Sequence, residues 1–285
     1  MRRIGGVVAG MAGCAMAAGA AFAAPACAAD AAGRPSADQA ALIQEVINRS
    51  SLHAQLARVP EQMRAQLEAR KEEMKEPVYW RVQEAMATAF SVERLSASVT
   101  DSFARHGNPE RLQQAIEWLK SPLALRMVGM EEAAASPDAE EALRAYINQL
   151  GSQPPAPERV ALARRISAAT GAPGTAMKLM SAMVEGMARA LDAAEGGGIA
   201  SQDEAKRAIA QLEGQRQMIE QGILIKLLFT YRDATDQELT DLAAFWESEL
   251  GAWLNQATVD AFVAALGDSS EEMARQLAPL INANP

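Results

Sequence analysis

The chain has 285 residues, enough for one large or two small domains, and is 49% hydrophobic but only 5% aromatic. Its formal net charge of −9 makes nucleic acid and anionic lipid surfaces poor partners. Cys14 and Cys27 are the only cysteines, and both lie near the start, so no disulfide framework is expected in the body.

Residues 1–29 have the form of a secretory signal peptide. Arg2 and Arg3 precede a Gly/Ala-rich apolar run, which ends in the small-x-small sites Ala21–Ala23 and Cys27–Ala29. Cleavage is expected between about 23 and 29, leaving no transmembrane helix. Sec export to the periplasm of a Gram-negative type bacterium follows from this reading. Arg2 and Arg3 are the only charges before Asp30, so the exported chain carries −11. The acidic balance by itself indicates solubility. Met11 and Ala24 stand where a lipobox would have Leu, so a lipid anchor at Cys14 or Cys27 is not expected.

Ser36 with Gln39 fits a capping box, opening a helix from Asp38. Pro60 then suits the first turn of a new helix, with Met63, Leu67 and Met74 on one stripe. Pro77 interrupts, and helix resumes at Val78. Ser91 caps a further helix that closes at Gly107. Asn108-Pro109 opens the next, and Ser136-Pro137 opens one from Pro137 to Leu150. Gly151 to Pro157 holds three prolines and a glycine in seven residues and reads as a linker. Beyond it, helices end near Gly171 and at Gly196–Gly198, and Gly214 and Gly222 are candidate breaks. After Gly251, two separate helices are expected, 258–267 and 269–281. No strand of useful length alternates, so the class is all-α, with helical units 30–150 and 158–285 flanking the linker 151–157.

The two units share a stretch. Asn108–Ala124 aligns without gaps on Thr235–Gly251: Asn108 meets Thr235, Leu112 meets Leu239, Trp118 meets Phe245 and Ser121 meets Ser248, a spacing of 127 (248 − 121). Upstream, Glu61, Met63 and Leu67 align on Glu185, Met187 and Leu191 at a spacing of 124 (187 − 63). Two blocks in one order at nearly one spacing argue for tandem duplication of a unit of about 120 residues. The three extra residues of the second copy fit Gly196–Gly198.

The repeated stretch reads as a folding signal. Thr235 and Glu238 form a capping box. Leu239, Leu242, Phe245 or Trp246, and Leu250 make an apolar stripe. Ser248 and Gly251 are small and allow a close approach or a helix end. Pro122, after Ser121, would end one helix and begin the next. The pattern (Tyr231, Thr235, Glu238, Leu239, Leu242, Phe245, Trp246, Ser248, Gly251) resembles a bacterial exported, all-helical domain family of unknown function. Ser121 and Pro122 match it in the first copy, while Glu249 replaces the proline in the second and Ala124 the glycine in the first. The resemblance implies an all-helical exported fold and carries no catalytic residues.

Chemistry is sparsely signalled. Met177, Met180, Met183 and Met187 form a stripe. Core packing is its leading reading, ahead of an adaptable apolar groove and of Cu(I) ligation by thioethers. His53 and His106 stand alone, without a metal-ligand spacing or a nucleophile elbow. Asp233, Asp236, Glu238 and Asp241 lack calcium-loop spacing and suit a helix start. Paired glutamates such as Glu131-Glu132 point about 100° apart on a helix and cannot share one substrate atom. The expectation is a non-catalytic envelope protein that binds a protein, peptide or lipid without a cofactor. A hydrolase-type enzyme and a methionine copper site are the alternatives.

Overall fold

The computed structural model describes residues 36–282, apart from 70, 137 and 196–198. Side-chain surroundings at 66, 73, 182–183, 186–195, 199–202, 204 and 278–282 also lie outside the described set. The signal-peptide reading, both cysteines and the triple glycine therefore fall outside the described residues.

Among the described residues the chain is all-α, without a strand. The first half contains α1 (Ala37–Arg49), α2 (Leu52–Glu68), a 3-10 turn (Lys71–Glu73), α3 (Glu76–Ala89), α4 (Val92–His106), α5 (Pro109–Leu119) and α6 (Pro122–Ala134). The short α7 (Ala139–Gln149) follows. The second half contains α8 (Pro157–Thr170), α9 (Ala172–Glu195), α10 (Ile199–Gly214), α11 (Arg216–Thr230), α12 (Asp236–Glu247) and α13 (Glu249–Asn282). No helix among the described residues is long and apolar enough to cross a membrane.

The helix starts are written in side chains. Ser91 accepts a hydrogen bond from the backbone N–H of Arg94, Asn108 from those of Glu110 and Arg111, and Ser121 from that of Ala124. Thr235 and Glu238 satisfy each other's backbone N–H in a full capping box. The expected box at Ser36 is half made. Ser36 accepts from the N–H of Gln39, but the Gln39 amide reaches across to the carbonyls of Ala104 and Gly107. The Ala104 carbonyl also accepts from the N–H of Gly107, the C-cap of α4, and helix ends leave such carbonyls room for a further donor like the Gln39 amide.

Three helix boundaries differ from expectation. Pro60 lies inside α2 and not at a helix start. Its missing amide costs about 3 kcal/mol. Leu52, Leu56, Val59, Met63 and Leu67 are all buried on the same helix, and each such side chain contributes about 1.5–3 kcal/mol, so the helix runs through. The stretch after Gly251 is one helix, α13, and not two. Gly267 has open space where a Cβ would be, so it costs only the usual ~1 kcal/mol of a helical glycine. Buried Leu254, Ala257, Ala261, Ala265, Leu266 and Met273 carry the helix past it. Gly222 likewise stays inside α11, while the break near Gly214 is real.

The two halves share a core. The largest apolar cluster joins Ile43, Leu56, Leu95, Phe103 and Leu112 of the first half to Leu254, Ala261 and Leu266 of α13. Helix α13 packs against α3, α4 and α5 as well as against α9 of its own half. A second cluster does the reverse. Leu123, Met127 and Met130 of α6 pack with Leu239, Leu242 and Ala243 of α12. Adding 127 to Leu123, Met127 and Met130 gives Leu250, Leu254 and Ala257, all of which pack in the first cluster with Leu112, Ala115 and Ile116. Each half thus lends the helix after its serine to the other half's core.

Candidate functional site

The seam is built from matching residues. Trp118 and Phe245, the aligned aromatics of the two matching stretches, stack on each other with ring centroids 3.5 Å apart and planes 7° from parallel. Trp246 meets both rings edge-on at 5.8 and 5.0 Å. Contacts on either side are reciprocal. Arg126 pairs with Glu238 at 2.8 Å. The residues 127 further on and 127 back, Trp253 and Arg111, also meet, with the guanidinium 6.0 Å from the ring centroid. Contact between equivalent residues, and paired contacts of this kind, are what a twofold relation imposes.

Ser121 and Ser248 serve as helix caps. Ser121 accepts from Ala124 N–H. Ser248 accepts from Gly251 N–H and donates to the Phe245 carbonyl at 2.6 Å. Among the described residues, neither hydroxyl is hydrogen-bonded to a histidine or a carboxylate. A Cβ on Gly251 would stand 2.0 Å from the Phe245 carbonyl oxygen, so only glycine fits that turn. His106 Nε2 lies 3.4 Å from Asp260, a contact between α4 and α13, and His53 is exposed. Among the described residues, no group of three or more His, Cys, Asp or Glu could hold a metal ion.

The methionine stripe is partly visible. Met177 and Met180 are buried with Ala172, Ala176 and Ile223. Ala172 and Ile223 of that cluster also line the cleft described below. The side chains of Met183 and Met187 lie outside the described residues.

The concave feature of the seam lies elsewhere. A cleft of about 520 Å³ opens between α2, the end of α6, α7 and α11, with Phe262 of α13 on its wall. Its size falls in the range of small-molecule sites. Helix α7 buries only Ala139. Its Leu143 and Ile147 line the cleft, and Ile147 is 44% exposed. The opposite wall is α2, which supplies Gln55, Arg58 and Val59. At the inner end, the buried Tyr231 hydroxyl donates to the Glu131 carboxylate at 2.7 Å. Burial pushes the Glu131 carboxyl above the usual range, against hydrogen bonds from Ser51 and Tyr231 that favour its charged form. Burial and then the neighbouring carboxylate push the Tyr231 phenol well up. This pair also borders a smaller cavity of about 90 Å³, walled by Trp118, Met127, Trp246 and Leu254.

Reading the sequence alone overlooked Arg58 and gave Glu131 no role beyond its neighbour Glu132. A signal for Glu131 existed. It lies four residues after Met127 on a helix whose Ala124 and Met127 face inward, which sets a carboxylate on the buried side. No described protein family, curated protein or solved structure matches this chain.

Proposed function

We propose that the protein is a non-catalytic, exported helical binding protein whose ligand occupies the cleft between its two halves. The observation that carries this reading is the cleft itself. The apolar side chains of α7, Leu143 and Ile147, line it in place of a core. A soluble helix ordinarily buries such a stripe against its own fold, so their placement along an open cleft favours a ligand that covers them. The serines are held as caps by backbone partners, with no base hydrogen-bonded to them among the described residues, which favours binding over hydrolysis. On this reading the two halves are copies of one helical unit, and the exported all-helical family with the Thr-x-x-Glu-Leu and Phe-Trp-x-Ser motif is its kin. Matching starts support the duplication: α5 and α12 begin 127 residues apart (236 − 109), as do α6 and α13 (249 − 122).

The neutral fluorescent probe N-phenyl-1-naphthylamine tests the cleft. The full chain without residues 1–29 is expected to bind it saturably, one probe per chain. Ala135→Trp, which adds an indole to the cleft wall, is expected to abolish that binding while the far-ultraviolet circular dichroism stays unchanged. Binding that survives Ala135→Trp, or no saturable binding, would remove the cleft as the ligand site.

A further inference from the structure

We infer that the cleft selects an amphiphile with a single anionic head, held by Arg58, and an apolar body laid along α7. This deepens the reading above and rests on it. Arg58 lies in the second half of α2, half-buried on the cleft wall. Among the described residues it makes no hydrogen bond or ion pair. A guanidinium offers five N–H donors in a planar fork that matches carboxylate and phosphate oxygens. No Arg58 nitrogen is both buried and unpartnered, so the fork faces the cleft, and an incoming anion gains a charge-assisted contact there without displacing a protein partner.

The other charges of the cleft leave Arg58 as the docking point. Arg144 is paired with Glu140 at 3.2 Å. Lys226 already has a partner. Glu131 is engaged by the Tyr231 hydroxyl at the inner end of the cleft. Glu61, one turn beyond Arg58, is exposed at the rim and does not pair with it. One guanidinium flanked by an acidic rim suits one anionic head group better than several. The apolar surface for the rest of the molecule is supplied by Val59, Leu143, Ile147, Ile223 and Phe262.

The test is displacement of N-phenyl-1-naphthylamine from the exported chain by four amphiphiles below their micellar concentrations: laurate, dodecyl phosphate, dodecanol and dodecylammonium. A charge-assisted contact predicts that laurate or dodecyl phosphate competes at least about tenfold more tightly than dodecanol. Whichever of the two anions is tighter identifies a carboxylate or a phosphate head as the natural source. Arg58→Gln is expected to abolish the margin over dodecanol, with unchanged far-ultraviolet circular dichroism and retained saturable probe binding showing that the variant is folded. Arg58→Lys is expected to keep part of the margin, because it keeps the charge and loses the fork. Equal competition by laurate and dodecanol, or tightest competition by dodecylammonium, overturns the anionic selectivity and leaves the cleft standing. Failure of the probe to bind, or binding that survives Ala135→Trp, overturns both.

Discussion

Helices α6 and α13 hold matching places in the two halves and do unequal work. Each begins just after a capping serine, Ser121 or Ser248, and each crosses into the core of the other half. But α6 has 13 residues and α13 has 34. The short crossing brings Leu123, Met127 and Met130 to a small cluster. The long one brings a buried row from Leu254 to Met273 to the main core. The first half therefore depends on the second for much of its apolar cover, and the reverse dependence is smaller.

The largest expected effect comes from separating the halves. A fragment of residues 30–150 keeps Leu95, Val99, Phe103 and Leu112 but lacks the α13 surface they pack with. It is expected to show no cooperative thermal transition by circular dichroism, whereas a stoichiometric mixture with a fragment of 151–285 regains one. A cooperative transition from the first fragment alone would show that α13 is dispensable to it and would end the comparison.

Next in size are the matched knobs, Met127 and Leu254, at 1% and 3% exposure. Truncation of either to alanine is expected to cost about 2–5 kcal/mol in urea unfolding. Leu254→Ala should cost the more of the two, because its cluster is larger and tied into a continuous helix. A larger loss for Met127→Ala would reverse the stated dependence. Smaller again is the turn. Gly251→Ala is expected to destabilise by about 1–3 kcal/mol, since the new Cβ meets the Phe245 carbonyl, which cannot move away easily. Ala124 occupies the matching position in the first stretch, is fully buried and already carries that Cβ, so Ala124→Gly meets no clash and loses one buried methyl and helix propensity, about 1–2 kcal/mol together. A Gly251→Ala variant as stable as the native chain would mean that the turns are alike after all. The Trp118–Phe245 stack, measured by a double-mutant cycle to leucine, should return a coupling of about 0.5–1.5 kcal/mol; a coupling of zero would reduce the seam to simple burial.

Much of this was legible in the sequence, for local reasons. The caps at Ser91, Asn108, Ser121 and Thr235 depend on residues no more than three positions apart, so side-chain chemistry alone announces them. The matched pairs Trp118 with Phe245 and Leu112 with Leu239 were visible as an alignment. Their stacking was not, because an alignment states equivalence and says nothing of contact. Pro60 and Gly267 misled for the same reason: a local breaker is overridden by burial, and burial is set by partners far along the chain. The cleft was illegible because its walls come from α2, α7 and α11, and no single segment carries their pattern.

The smallest effect singles out one crossing by its charge. Position 131 of α6 corresponds to position 258 of α13, and these carry Glu131 and Thr258. Thr258 donates its hydroxyl to the Leu254 carbonyl within its own helix, so that crossing has nothing to titrate there. Glu131 is held toward its protonated form by burial. Its folded value lies above the ordinary 4.5, so its contribution to stability is complete below that value and is lost as pH rises through the folded one. The carboxylates of Glu238, half-buried, and Glu247, exposed, run the other way. Hydrogen bonds, from Thr235 and Arg165 respectively, lower them, so they lose their contribution as pH falls. The contribution of Glu131 is isolated by Glu131→Gln, whose amide oxygen can still accept from the Tyr231 hydroxyl. The unfolding free energy of the native chain minus that of the variant should decline with rising pH above the ordinary carboxylate value. Thr258→Val should leave that pH profile unchanged. A flat difference for Glu131→Gln would mean that the carboxyl is as well solvated as a surface one, and the two crossings would then differ in length but not in chemistry.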